Sequence, residues 1–208
     1  NIEYLGSLEG NENITWIIAN EGWSDSDKDK FEKALSNMQT FIQNKLTLKM
    51  VSNKYELFSY INNKDGNNRS ADPIRKVVVY SHGLANGTLS LGYNYSNNYN
   101  TSLNITLDDL NTNNIRASAF DNPNSMFYSC NTGTNVGGKW GNNFAQKWVN
   151  ITGGKTWAFN GKTDYSILPQ NESYWIKLSR FKNGFSFVGS ANYPAPANQN
   201  VSLITFWR

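Results

Sequence analysis

The chain contains one histidine, His82, and one cysteine, Cys130, and their settings match. Val77-Val78-Val79-Tyr80-Ser81-His82-Gly83 is an apolar, β-branched run that ends by presenting the imidazole, and Met126-Phe127-Tyr128-Ser129-Cys130 ends 48 residues later by presenting the thiol. A thiol attacks a carbonyl usefully as its thiolate, and an imidazole can take its proton and later protonate the leaving group. A lone buried cysteine is commonly inert. The joint placement of the two residues at matched strand ends, each beside small residues, points instead to a Cys/His pair. Gly83 has no side chain, so its N–H can approach a substrate oxygen closely. With the Cys130 N–H it could form an oxyanion site for a tetrahedral intermediate.

The elements that must position this pair alternate. Ile14–Ala19 reads as a first strand. Ser24 or Asp25 can cap a helix with acids in its first turn and apolar Phe31, Leu35, Met38, Phe41 and Ile42 at helical spacing to about Leu46. Thr47–Val51 is a second strand, and a short helix carries Leu57, Phe58 and Ile61 before the His82 strand. Strand, helix, strand, helix, strand predicts a parallel sheet, and sites on such sheets lie beyond the carboxyl ends of the strands. Between the two reactive strands, Asn86-Gly87 marks a small β-hairpin or excursion over 84–106. Thr106 and Asp109 have capping-box spacing and predict a helix start. After Cys130 come the Gly-rich loop Asn131–Gly138, a helix carrying Phe144, Ala145 and Trp148 to about Asn150, and the strand Thr156–Phe159. From Tyr174 the pattern turns to short alternating strands, Tyr174–Leu178, Phe185–Val188 and Val201–Trp207, expected as antiparallel edges. Here Trp175, Tyr193 and Trp207 are read as core or edge packing.

These residues resemble the caspase-like, or clan CD, cysteine peptidases, among them caspases, legumain, clostripain, gingipains and bacterial toxin self-processing domains. The likeness rests on the strand ending in His82-Gly83, the following core strand ending in Cys130, and the stretch Phe144-Ala145-Gln146 through Gly154 to Trp157-Ala158-Phe159-Asn160-Gly161-Lys162-Thr163. It covers about residues 14–165. The resemblance implies a three-layer α/β sandwich with a mainly parallel sheet and caspase-like topology, and residues 166–208 would add an antiparallel C-terminal extension to one peptidase domain spanning 1–208. It implies His82 as acid/base, Cys130 as nucleophile, and the Gly83 and Cys130 N–H groups as oxyanion donors. The activity implied is a cysteine endopeptidase working through a thioester, without cofactor or metal. A caspase-like domain used only for binding, or another thiol acyl-transfer enzyme, are the alternatives. The Gln-Ala-Cys-x-Gly signature of true caspases is absent, so cleavage after Asp is not implied. Asp108, Asp109, Asp164 and Tyr165 are candidate substrate-binding residues. A helix start accounts equally well for the first two, while the last two follow the Trp157 strand, where this fold carries specificity loops.

Composition narrows the partners. The 208 residues are consistent with one domain burying about 70% of its unfolded surface. Only 38% are apolar, but 7 Trp, 11 Tyr and 11 Phe supply bulky core material. A net charge of +3 with scattered basic residues disfavours a nucleic-acid surface. No apolar run reaches membrane-spanning length. One cysteine excludes an internal disulfide framework. Gly138-Lys139 is followed by Trp140 rather than Ser or Thr, so the Gly-rich loop is not a nucleotide-binding P-loop. Asn-x-Ser/Thr triplets recur because those residues abound, and a glycan at Asn86 would obstruct the His82 site. The Asn/Lys/Tyr-rich composition is compatible with an AT-rich bacterial genome; the compartment stays open, with a secreted or cell-surface bacterial location as one option. A start at Asn1 without Met reads as processing or excision from a longer chain, which makes the parent chain a candidate substrate beside other peptides and proteins. Oligomeric state is not readable.

Overall fold

A computed structural model describes residues 13–21, 24–39, 46–66, 69–92, 101–164 and 195–208. The predicted strands Tyr174–Leu178 and Phe185–Val188, together with Phe41, Ile42, Tyr165, Trp175 and Tyr193, lie outside them. The elements are β1 (Ile14–Ala19), α1 (Asp25–Gln39), β2 (Leu46–Val51), α2 (Lys54–Asn63), β3 (Ile74–Val79), β4 (His82–Gly83), β5 (Leu89–Ser90), β6 (Asn104–Ile105), β7 (Phe120–Phe127), α3 (Phe144–Thr152), β8 (Lys155–Phe159), β9 (Thr163–Asp164), β10 (Ala195–Pro196) and β11 (Leu203–Trp207). Among the described residues, no helix is long and apolar enough to cross a membrane.

Contacts divide the chain into two compact units, one of residues 1–18, 23–50 and 165–195, the other of 19–22, 51–164 and 196–208. In the first, β1 and β2 form a two-stranded sheet. Ser24 caps α1: the Asp27 N–H donates to Ser24 Oγ at 3.2 Å, and Ser24 Oγ donates back to Asp27 Oδ2 at 2.7 Å. This is a capping box with Asp in the place of Glu.

The second unit is mixed α/β. Its sheet runs β3-β7-β8-β11, with β3, β7 and β8 parallel and β11 antiparallel on the edge. A mainly parallel sheet and an antiparallel C-terminal strand are both present, but the parallel strands are β3, β7 and β8, whereas β1 and β2, expected to share a sheet with β3, pair among the described residues only with each other. Asn143 starts α3 by accepting the Gln146 N–H at 2.8 Å. The apolar side of α3, with Phe144, Ala145, Trp148, Val149 and Ile151, packs into one core with Phe120, Phe127, Ala158 and Phe206 of the sheet. Phe127 meets the rings of Phe144 at 5.3 Å and Trp148 at 5.6 Å, both edge-on. That geometry sets the positive edge of one ring against the negative face of another. Trp148 Nε1 donates to Ser125 Oγ at 3.0 Å, so the one polar group on the buried indole is satisfied.

Other sequence expectations fail in detail. Thr106 and Asp109 do bond each other as a capping pair, with Asp109 Oδ2 taking the Thr106 N–H at 2.8 Å and its hydroxyl at 2.9 Å. Yet no helix follows, because 107–109 close a turn and Asn111 starts another. The run expected as one strand through Gly83 also stops at Val79, and His82 belongs to a separate small sheet ordered β4-β5-β6. The Asn86-Gly87 turn returns the chain from β4 to β5, and Gly87 there takes φ +80°, where a side chain is strained. Among the described residues, the excursion expected over 84–106 is a small antiparallel sheet, and His82 is its first residue.

Candidate active site

β3 pairs with β7 in parallel, and after a register shift between Ile74 and Lys76 the offset settles at 48: Lys76 faces Asn124, Val77 faces Ser125, Val78 faces Met126 and Val79 faces Phe127. The pairing persists beyond both strands. The Tyr128 N–H donates to the Val79 carbonyl at 2.9 Å. The rings of Tyr80 and Tyr128 stack with centroids 4.9 Å apart and planes 11° from parallel. Ser81 Oγ lies 2.9 Å from Ser129 Oγ. The next pair at the same offset is His82 and Cys130. Each of the two predicted catalytic residues thus stands three residues beyond its strand, and the two extensions run side by side.

Gly83 and Cys130 are packed backbone to backbone, since a Cβ on Gly83 would fall 1.7 Å from the Cys130 carbonyl oxygen. Asn131 Nδ2 donates to the Gly83 carbonyl at 3.3 Å. The orientation of the Gly83 N–H follows from the small sheet. Leu84 donates to the Thr88 carbonyl at 2.8 Å, and Gly83 pairs with Leu89 in the next register position. Antiparallel pairs alternate between bonded and non-bonded, so Gly83 occupies a non-bonded position and turns its N–H and C=O away from β5. That edge is the one on which Asn131 reaches the carbonyl. The predicted oxyanion donor therefore lies on the Cys130 side of β4.

Cys130 is half-buried in a tight turn. Asn131 adopts φ +57°, a left-handed conformation that Asn tolerates better than most residues. The Asn131 N–H donates to the Gly161 carbonyl and the Gly133 N–H to the Phe159 carbonyl, both at 2.8 Å. Thr132 Oγ1 donates to the Ser129 carbonyl at 3.0 Å. These bonds tie the turn to the chain leaving β8. The sulfur faces that chain: the Thr163 N–H donates to Cys130 Sγ at 3.2 Å, and Thr163 Oγ1 lies 3.2 Å from the same atom. Sequence reasoning included Thr163 in the stretch that carries the resemblance but assigned it no role. It is a common residue type, and only the return of the chain after β8 brings it to the thiol.

His82 is exposed on one side, and partial burial pushes its imidazole below the ordinary 6.5. It is therefore mainly neutral at pH 7 and ready to accept a proton.

The acidic candidates separate. Asp109 accepts from Lys54 Nζ at 2.7 Å, with both side chains largely buried, besides its two bonds from Thr106. Burial on its own raises this carboxyl, but the Lys54 and Thr106 hydrogen bonds outweigh it and hold the group below 3.8. Asp108 is exposed, and its backbone carbonyl accepts from Asn111 Nδ2 at 2.7 Å. Asp164 is half-buried in β9, next to Thr163. Of the three candidates among the described residues, it is the one next to a residue that touches Cys130. Among the described residues, no group of three His, Cys, Asp or Glu side chains could hold a metal ion.

No protein-family model matches the chain, and neither curated proteins nor solved structures yield a match.

Proposed function

We propose that this chain is a cysteine endopeptidase of caspase-like type, with Cys130 as nucleophile and His82 as acid/base. Its strands and helices would complete a three-layer sandwich of caspase-like topology. One observation carries the reading: the 48-residue offset of β3 and β7 continues through the Tyr80/Tyr128 stack and the Ser81/Ser129 contact to the two reactive side chains. On this reading the parallel extensions would bring an imidazole and a thiol to one edge of the sheet, where open α/β sheets bind ligands.

In the reaction proposed, His82 accepts the Cys130 thiol proton and the sulfur attacks the scissile carbonyl carbon, forming a C–S bond. The carbonyl oxygen becomes an oxyanion, held by the Gly83 and Cys130 N–H groups. The intermediate collapses, the C–N bond breaks, and the leaving amine takes the proton from His82. A thioester remains on Cys130. Water then attacks it, giving its proton to His82, and collapse releases the acid and restores the thiol. The substrate is a peptide or protein, and Asp164 is a candidate for contacting it.

The test is hydrolysis of fluorogenic peptides varied at the residue before the scissile bond, with the intact chain and with Cys130→Ala. Cleavage by the former and none by the latter is expected, at unchanged thermal stability. Undiminished cleavage by Cys130→Ala would overturn the proposal.

A further inference from the structure

We propose that Thr163 is the thiolate-stabilising residue of this site, reversing a hydrogen bond with Cys130 as the thiol ionises. Its catalytic meaning rests on the peptidase reading above. The hydrogen-bond reversal concerns only the thiol and can be tested apart from it.

Three atoms of Thr163 surround the sulfur. The N–H donates to Sγ at 3.2 Å, Oγ1 lies 3.2 Å away, and the carbonyl oxygen lies 3.9 Å away. Oγ1 is also 3.2 Å from the Tyr128 carbonyl oxygen. A hydroxyl has one proton to give and lone pairs to receive with. The Tyr128 carbonyl can only accept. While Cys130 is a thiol, Thr163 gives its proton to Tyr128 and the S–H donates to the free lone pair on Oγ1. The thiolate has no proton and can only accept. The Thr163 O–H then rotates about its Cβ–Oγ1 bond from the Tyr128 carbonyl to the sulfur. The anion is left with two donors, the Thr163 N–H and O–H, and no heavy atom has moved.

The spacing that makes this work is held by backbone. Thr163 follows Gly161 by two residues, and the Gly161 carbonyl receives the N–H of Asn131, the residue after Cys130. The Phe159 carbonyl receives Gly133 in the same way. The Cys130 turn is thus joined at two points to the stretch from the end of β8 to Gly161, which leads directly into Thr163. Threonine suits the position for a further reason: its branched Cβ restricts χ1, which keeps Oγ1 near its partners.

The experiment measures alkylation of Cys130 by iodoacetamide, followed by mass spectrometry of the whole chain. It compares the wild type with Thr163→Val, Thr163→Ala and Thr163→Ser. Valine preserves the shape and the backbone N–H but removes the hydroxyl, and alanine checks that result with a different packing change. A hydrogen bond to a charged group commonly shifts a population by roughly ten-fold. At about pH 7, valine and alanine should therefore slow alkylation by roughly ten-fold, while serine stays within about three-fold of wild type. In alkaline buffer, where added base drives the ionisation, the deficit of valine and alanine should shrink. Wild-type rates for valine and alanine at neutral pH would overturn the inference. So would a deficit that persists undiminished in alkali, because Thr163 would then govern access rather than ionisation. In peptide hydrolysis, the same loss should fall on kcat and leave KM unchanged. The expected alkylation pattern in a chain that cleaves no peptide supports the role of Thr163 and overturns the peptidase reading instead.

Discussion

The hydroxyls of Ser81 and Ser129 meet at 2.9 Å, one residue short of His82 and Cys130. Ser129 is fully buried and Ser81 half-buried. The contact locks the two strand extensions together just before they part, with β4 turning into the small sheet and Cys130 into its own turn. Removing either hydroxyl leaves the other short of a partner, at about 1–2 kcal/mol. Ser81→Ala and Ser129→Ala should each lower stability in denaturant unfolding, and the double variant should lose less than the sum of the two. Strictly additive losses would show that the hydroxyls do not support each other.

Gly83 has no room for a methyl group. The Cys130 carbonyl occupies the place where a Cβ would sit, at 1.7 Å, and it is backbone that cannot swing aside. Gly83→Ala should therefore push the two extensions apart, at about 1–3 kcal/mol. Peptide hydrolysis should fall at least about ten-fold. Unfolding midpoints and initial rates test this together, and a variant with wild-type values in both would contradict the packing described.

His82 sets an acid limit. Its folded-state imidazole is held below 6.5 by partial burial, so the unfolded chain binds the proton more readily. The stability contributed by keeping the ring neutral is fully present above 6.5 and lost as pH falls through that value toward the lower folded one. Catalysis moves with it, since the protonated ring cannot accept the thiol proton. The acid limb of kcat/KM should have its midpoint below 6.5, and His82→Gln should lack that limb while flattening the stability profile across the same window. A midpoint above 6.5 would show that contacts in the active protein favour the charged ring.

Asp108 and Asp109 should part company. Asp109→Asn leaves Lys54 charged and largely buried without its carboxylate, a loss of roughly 2–4 kcal/mol. Because the folded-state carboxyl is held below 3.8, its contribution is present above that value and disappears as acid protonates it. Asp108→Asn should stay within about 0.5 kcal/mol of wild type. Neither substitution should change the preference among fluorogenic peptides. A stable Asp109→Asn with altered preference would return that residue to the substrate.

The sequence made some features legible and hid others for identifiable reasons. β1, β2, α2, α3 and β8 follow from runs of Ile, Val, Leu and aromatic residues bounded by Asn, Gly and Asp, and the Asn86-Gly87 turn marked the excursion correctly. The spacing between His82 and Cys130 was visible from the outset, but its meaning as a sheet register emerges only when β3 and β7 are seen to pair. The apolar run hid the end of β3 at Val79, because Tyr80 and Ser81 continue a strand-like pattern while leaving the ladder of the main sheet. Thr106 and Asp109 satisfied a local rule for helix starts, yet the anchoring of Asp109 to Lys54, 55 residues away, goes with a turn. The contact of Thr163 with the thiol was hidden for a simpler reason. Nothing in its neighbours distinguishes Thr163 until the chain after β8 is laid beside Cys130.

The side-by-side extensions of β3 and β7 bear on what would happen if the chain were cut. His82 and Cys130 travel on different stretches of polypeptide, joined by more than forty residues that build the small sheet and its loops. A break in that intervening stretch would divide the chemistry itself, leaving an imidazole on one fragment and a thiol on the other. Their reunion would depend on β3 finding β7 in a single register. Reactivity would then serve as a reporter of complementation between two separately inert pieces.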